Sequence, residues 1–276
     1  MDLRILADIA INAALSAGDI IQRYKDEEVE VEEKNAGSSR FSEVVTAVDK
    51  QCEAEILSQL RPSCEEYDLA LLSEETEDDG SRFEKEYFWC IDPIDGTLAF
   101  INKEPGFSVS IALVANDGTP CIGVVFDPSS GILYHAMKDR GAFKNRESWK
   151  VKRSDDQLTY VTDRTLEETR RAGEINELLD EYVQRYNLSG ISEVSGGGAV
   201  LNAIRVLENG PACMMKFPKK ETGGGCIWDY AATACIYREL GLPATNFEGG
   251  RLDLNRRDGV FMNHQGVYYA NISADQ

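Results

Sequence analysis

Phe88-Trp89-Cys90-Ile91-Asp92-Pro93-Ile94-Asp95-Gly96-Thr97 is the stretch from which fold and chemistry are read together. Its aromatic and apolar half reads as a buried strand that stops at Asp92, because Pro93 has no N–H for a ladder and blocks a paired central strand. Asp95-Gly96 then turns the backbone, so two carboxylates sit at a strand's end. Pro93 biases Asp92 toward extended geometry, which lets Asp92 and Asp95 converge on one point with the Ile94 carbonyl beside them. Oxygen donors alone suit Mg2+ or Mn2+ rather than zinc. Beyond Gly96, Thr97-Leu98-Ala99-Phe100 starts a short helix whose open N–H groups face the same point and attract an anion. A metal beside a helix N-terminus points to a phosphate site.

An Asp-Gly turn alone is ordinary turn chemistry. Here it is flanked at a distance by two further acidic stretches, Ser73-Glu74-Glu75 upstream and Ile227-Trp228-Asp229-Tyr230-Ala231-Ala232 downstream. Leu69 to Leu72 reads as a short apolar strand, so Glu74 adds a third carboxylate at a strand's end. Taken in order, Glu74-Glu75, Asp92-Pro93-Ile94-Asp95-Gly96-Thr97 and Trp228-Asp229 resemble the signature of the inositol monophosphatase superfamily, the lithium-sensitive, magnesium-dependent phosphatases. In that family the Trp-Asp pair opens a helix.

Composition limits the alternatives. The chain has 276 residues, 42% hydrophobic and 28% charged, with a formal net charge of -19. That is ordinary globular composition, and the absence of a basic tract argues against a nucleic-acid polymer as partner. An anionic substrate would need a cleft whose local field is reversed, by metal ions or by lysines. Seven cysteines, scattered and odd in number, with only His135 and His264 to join them, indicate neither a disulfide framework nor a zinc site. The N-terminal stretch carries Asp8 and Asp19, unlike a secretory leader, and no apolar run approaches about 18 residues, so no membrane and a reduced cytoplasmic compartment are expected.

Along the chain, Leu6, Ile9, Ala10, Ala13, Ala17, Ile20, Ile21 and Tyr24 recur at helical spacing, predicting a helix over 3–24. Asp26 to Ser42 is charged and then Gly-Ser rich, with Val29-Glu30-Val31-Glu32 alternating, and reads as a mobile flap with a strand edge. Thr46-Ala47-Val48-Asp49 has the spacing of a capping box, and Val48, Cys52, Ile56, Leu57 and Leu60 carry a helix to a stop at Arg61-Pro62. Phe107, Val109, Ile111 and Leu113 alternate, Asn116-Asp117-Gly118 makes a hairpin turn, and Ile122 to Phe126 and Ile132 to Ala136 continue an antiparallel meander. Asp139-Arg140-Gly141 and Asn145 to Glu147 read as turns, and His135 as a packed or edge residue. From about Ser154 strands and helices alternate: strand Leu158 to Thr162, helix Leu166 to Tyr186, strand Ile191 to Val194, and a helix from Ser195-Gly196-Gly197-Gly198-Ala199 to Glu208. Ala212 to Phe217, Ala244 to Phe247, Val260 to Asn263 and Val267 to Ala270 complete a sheet. Lys216, Lys219 and Lys220 precede the flexible Glu221-Thr222-Gly223-Gly224-Gly225.

The resemblance runs from Lys34 to Asn271 and implies a mixed α/β fold, a layered α-β-α-β-α sandwich of the inositol monophosphatase and fructose-1,6-bisphosphatase type. Residues 1–154 would form an α+β half with an antiparallel sheet and residues 155–276 an α/β half completing the site. It implies two or three Mg2+ ions, with Mn2+ as a substitute and Li+ as inhibitor. Glu74, Asp92 and the Ile94 carbonyl would hold one metal, and Asp92, Asp95 and Asp229 a second, in a clamp that activates water for in-line displacement. Val45-Thr46-Ala47-Val48-Asp49 is similar to the family's Val-Thr-x-x-Asp segment, so Asp49 would orient Thr97, which positions the attacking water beside Glu74. The N–H groups of Gly96 and Thr97 would hold the phosphate, with Asp95 and Asp229 also touching substrate. Gly197-Gly198 stand where the family has a substrate-contacting Gly-Ser or Gly-Thr, with the hydroxyl missing.

The resemblance implies a small phosphate ester as substrate. Inositol monophosphatases usually carry a glutamate seven residues before the aspartate of Trp-Asp; here that place is Thr222, with Glu221 one step off. Lys219 and Lys220 could instead meet a second phosphate, as in 3'(2'),5'-bisphosphate nucleotidases, and this is the preferred expectation, with inositol-1-monophosphatase as the alternative. A phosphoaspartate phosphatase of the haloacid dehalogenase type has one residue between its aspartates, whereas Pro93 and Ile94 are two. A catalytically silent ligand-binding protein would have lost a metal carboxylate, and none is lost. The family often forms homodimers.

Overall fold

The computed structural model describes residues 1–24, 31–33, 44–151, 156–164 and 170–272, with the side chains of 31–33 and 44–46 excepted. Helix α1 (Leu3–Tyr24) takes the span its apolar spacing predicts. Its length and mean hydropathy would also allow it to cross a bilayer, contrary to the expectation that no run is apolar enough. Here Leu6, Ala10, Ala13, Ala14, Ala17 and Ile21 are buried within the fold, and Arg4, Asp8, Asn12 and Asp19 face out. Strands β1 (Val31–Glu33) and β2 (Val44–Thr46) pair antiparallel. The rest of the expected flap, and the Thr46 end of the capping box, lie outside the described side chains.

Helix α2 (Ala47–Tyr67) corrects the stop placed at Arg61-Pro62, since it runs through Pro62. The missing proline N–H is tolerated because the turn around it has other anchors: Ser63 Oγ donates to the Leu60 carbonyl (2.6 Å) and accepts the indole N–H of buried Trp89 (2.9 Å).

A seven-stranded sheet follows in sequence order: β3 (Ala70–Ser73), β4 (Tyr87–Asp95), β5 (Ser108–Ala115), β6 (Pro120–Asp127), β7 (Ile132–Met137), β8 (Gly141–Lys144) and β9 (Glu147–Ser148). β3 pairs parallel with β4, and every later neighbour is antiparallel. β4 does not stop at Asp92. Asp92 lies opposite Ser110 and Asp95 opposite Ser108, so Pro93 and Ile94 together oppose the single residue Val109. That is a β-bulge, one of the few places where a sheet accepts proline. β5 is buried on both faces, not alternately: Ser108, Ser110 and Ala112 are as enclosed as Val109, Ile111 and Leu113. His135 is buried in β7 and stacks on Phe143 with ring centroids 4.9 Å apart.

The second sheet has the order β11 (Ile191–Ser195), β10 (Leu158–Thr162), β12 (Ala212–Lys216), β14 (Val267–Asn271), β13 (Ala244–Thr245), with β10 parallel to both of its neighbours. Val260 to Asn263 is not a strand; only Phe261 makes an isolated bridge, to Cys226. Helix α4 (Ala172–Arg185) begins later than the expected Leu166, and residues 165–169 lie outside the described set. The expected boundary at 154–155 also falls outside it, between β9 and β10.

Helix α3 (Thr97–Ile101) is a single turn after β4. Helices α5 (Ala199–Glu208) and α6 (Ile227–Leu240) lie between the sheets, burying side chains on nearly every face, which only a sandwiched helix can do. Three apolar clusters mark the layers. Leu6, Ile56, Trp89 and Ile111 fill the space between α1, α2 and the large sheet; Phe88, Val200, Trp228 and Tyr269 fill the middle; Leu158, Ile175 and Leu179 seat α4 on the small sheet. Each such side chain contributes about 1.5–3 kcal/mol by leaving water. The order α-β-α-β-α is the architecture expected.

Candidate active site

The bulge in β4 does more than accommodate proline. In a regular strand, residues three apart point to opposite faces. With Pro93-Ile94 opposing one residue, Asp92 and Asp95 lie across from Ser110 and Ser108, two apart on β5, and so share a face. That face looks toward α5 and α6. Glu74 follows β3, and its N–H donates to the Ile91 carbonyl (3.2 Å), setting it level with Asp92. Asp229 comes from the opposite side, in the first turn of α6, where its Oδ2 accepts the Cys226 N–H (2.8 Å). Ser110 Oγ donates to the Trp228 carbonyl (3.2 Å) and ties that turn to β5.

Oxygens of Asp92, Asp95 and Asp229 lie within 4.8 Å of one another. Asp92 Oδ1 is buried with no hydrogen-bond partner among the described residues. An orphaned carboxylate oxygen among further carboxylates is costly unless a cation or proton arrives. The donors are all oxygen, so the residues fit a hard divalent ion such as Mg2+.

The electrostatics agree. Loss of hydration raises Asp92 well above the carboxylate range, and Glu74, Asp95, Asp229 and Asp49 add to the shift. Asp95 is pushed up to about 7, first by burial and then by Asp229, against hydrogen bonds from Val200 and Ala199 and the charge of Lys216. Asp229 is raised by burial, with the Cys226 N–H and Lys216 pulling back. The Glu74 side chain opens into the cleft, yet the surrounding walls strip enough water to raise it, followed by Asp229, Glu75 and Asp49, while a contact with Asp92 opposes. Burial and mutual repulsion therefore favour protonation of these carboxylates in the bare chain, in competition with a metal.

Asp49, buried in the first turn of α2, is near enough for its charge to raise both Asp92 and Glu74. Thr97 Oγ1 donates to the Ile94 carbonyl (2.9 Å). Gly96 has φ 81°, the left-handed conformation that lets the chain pass from strand into α3. Among the described residues, the N–H groups of Gly96 and Thr97 have no acceptor.

The other expected contacts are placed differently. Gly198 N–H donates to the Gly106 carbonyl (2.7 Å), and the Ala199 and Val200 N–H groups donate to Asp95, so these N–H groups serve the protein itself, while that of Gly197 has no acceptor among the described residues. Lys219 and Lys220 are exposed, on a loop held by Asn263, whose Nδ2 donates to the Lys219 and Glu221 carbonyls. Among the described residues, the lysine whose charge reaches the carboxylates is Lys216. Only 20% of its side chain is exposed, its Nζ lies 3.3 Å from Asp163 Oδ2, and its charge reaches Asp95 and Asp229. Burial alone would lower its pKa, and Tyr230, Asp163 and Asp229 together outweigh that and raise it. Its signal in the sequence is the one that marks Glu74: a charged residue at the end of an apolar strand.

Comparison with known proteins follows the same lines. The model of the Inositol monophosphatase family matches residues 2–276. Inositol monophosphatase 2 of Solanum lycopersicum is 32% identical over 256 residues, 91% of this chain and 90% of that protein. Nus factor SuhB of Escherichia coli K12 is 30% identical over 252 residues, covering 89% and 86%. The inositol monophosphatase of Anabaena superposes with a TM-score of 0.69 at 26% identity, covering 99% of this chain and 93% of that one. CysQ of Bacteroides thetaiotaomicron gives 0.74 at 24% identity, covering 97% of each chain, a likeness of fold.

Proposed function

The chain belongs to the inositol monophosphatase family, whose members are metal-dependent phosphomonoesterases, and from that premise we propose that it removes phosphate from a small metabolite carrying a second anionic group, such as 3'-phosphoadenosine 5'-phosphate. The observation that carries this choice is Lys216. A mostly buried cation beside carboxylates that would themselves hold metal works against metal uptake unless an anion arrives with the substrate. Lys216 and Asp163 stand at the carboxyl ends of parallel β12 and β10, the edge at which open α/β sheets take ligands.

Glu74, Asp92, Asp95, Asp229 and the Ile94 carbonyl would hold Mg2+, which supplies Lewis-acid polarisation of the phosphoryl group and acidification of a water. The chain's own residues do the rest. The Gly96 and Thr97 N–H groups take phosphoryl oxygens at the entrance to α3. With its proton on the Ile94 carbonyl, Thr97 Oγ1 has lone pairs left to accept a hydrogen bond from the attacking water. Glu74, at the end of β3 and open to solvent, would take the proton once a bound cation holds its carboxylate ionised, and the nearby charge of Asp49 adds to the negative field there.

Phosphate release from 3'-phosphoadenosine 5'-phosphate and from inositol 1-phosphate, with Mg2+, with EDTA and with Mg2+ plus Li+, tests the proposal. The nucleotide is expected to be preferred, EDTA and Li+ to suppress release, and Lys216→Met to raise KM for the nucleotide about tenfold, the loss of one charged contact. Lys219→Ala and Lys220→Ala should leave it within about twofold. Preference for inositol 1-phosphate would favour the second reading, an inositol-1-monophosphatase, which the tomato relative's name supports.

A further inference from the structure

The turn between β11 and α5 is fixed at several points. Gly196 N–H donates to the Thr162 carbonyl (3.0 Å) and Gly198 N–H to the Gly106 carbonyl (2.7 Å). The half-buried Arg205 guanidinium donates to the Gly196 carbonyl and to Asn202 Oδ1 (2.8 Å), closing the turn from the helix side. From this frame the Ala199 and Val200 N–H groups reach across to the first half of the chain, Ala199 to Asp95 Oδ1 (3.0 Å) and Val200 to Asp95 Oδ2 (2.9 Å). Each carboxylate oxygen thus receives one N–H, which fixes the plane of the group and leaves a lone pair on each oxygen for a cation. With the backbone as it stands in this chain, a Cβ on Gly198 would overlap the Asp95 carboxylate, and one on Gly106 would come within 2.8 Å of Gly197 Cα.

We propose that Gly198 and Arg205 are positioning residues for the metal ligand Asp95: they hold the first turn of α5 on its carboxylate, so that cation binding and the docking of α5 against the first half are one coupled equilibrium. The inference rests on the metal centre of the proposed function. Coupling of this kind is reciprocal, so the cation steadies α5 as much as α5 prepares the site. A turn that only filled space would tolerate Arg205→Gln, which leaves the Asp95 carboxylate untouched, without any change in metal affinity.

The test is calorimetric titration with Mn2+ of the wild-type chain, Gly198→Ala and Arg205→Gln, together with amide hydrogen exchange over residues 198–204 with and without Mn2+. Mn2+ is expected to slow exchange at Ala199 and Val200. Gly198→Ala should weaken Mn2+ binding by about tenfold or more, the range for loss of a contact that orients a ligand, and Arg205→Gln by less. Variants with wild-type far-UV circular dichroism and wild-type Mn2+ affinity would overturn the proposal, as would unchanged exchange in the wild-type chain. If Gly198→Ala does not fold, Arg205→Gln and the wild-type exchange still decide. A wild-type chain that binds no Mn2+ would remove the metal centre itself, a different result from equal affinities.

Discussion

Two strand-to-helix turns lie directly against each other, and they look alike in sequence: β4 passes through Asp95-Gly96 into α3, and β11 passes through Gly196-Gly197-Gly198 into α5. Their N–H groups have opposite fates. Those of Gly96 and Thr97 have no acceptor among the described residues, whereas those of Gly198, Ala199 and Val200 are all taken, two of them by the carboxylate of Asp95. A glycine-rich turn before a helix is therefore a ligand site only where the protein has not already filled it. Here the first turn keeps both of its N–H groups open for an anion, and the second, with only Gly197 N–H left over among the described residues, chiefly serves the first turn's aspartate.

Removing the shared group affects both turns at once. Asp95→Asn should lower Mg2+-dependent phosphate release by more than about a hundredfold, beyond the usual loss for a contact that merely supports a metal ligand, with the far-UV spectrum unchanged. Activity within a few-fold of wild type would leave the pairing of the turns without functional meaning.

Substituting one glycine in each turn separates crowding from strain. Gly96 and Gly196 both have positive φ, 81° and 90°, but a Cβ at 96 would run into the Gly106 carbonyl while one at 196 meets nothing within 4 Å. Gly96→Ala should cost about 2–3 kcal/mol and Gly196→Ala about 1 kcal/mol in urea unfolding. Equal costs would mean that the tight approach of the two turns is not a stability determinant.

A smaller effect follows from protons. Asp95 holds a folded-state pKa of about 7 against an ordinary carboxylate value near 4. Between those values the folded chain keeps a proton that the unfolded chain has lost, so stability of the metal-free protein falls as pH rises through that window. Asp92, Glu74 and Asp229 push in the same direction. In EDTA the melting temperature should be roughly 3–10 °C lower at pH 7.5 than at pH 5 once coupling among the carboxylates is allowed for, and Mg2+ should narrow the gap. A flat profile in EDTA would argue that the carboxylates are not strained against one another.

Much of the site could be read from residue order because its parts are strand ends, and a strand end is marked by an apolar run meeting a carboxylate, as at Leu72-Ser73-Glu74 and Ile91-Asp92. What could not be read was how the backbone absorbs local rule-breaking. Pro93 looks like a terminator until β5 is present to oppose it as a bulge, and Pro62 looks like a helix stop until Ser63 is seen bridging Leu60 and Trp89. Burial on both faces of β5 depends on α6, more than a hundred residues away, which no local alternation reports. The choice among Lys216, Lys219 and Lys220 likewise depends on where β12 ends: the first stands at the sheet's edge beside Asp163, and the other two have already left it.

The central claim is that carboxylates from both halves of the chain, joined through Asp95, form one hard-metal centre. Calorimetric titration of the wild-type chain with Mn2+, repeated for Asp92→Asn, tests it most directly. Saturable binding in the wild-type chain that is lost when the orphaned Asp92 oxygen is neutralised is the predicted result; no binding, or binding of equal affinity in Asp92→Asn, would contradict it.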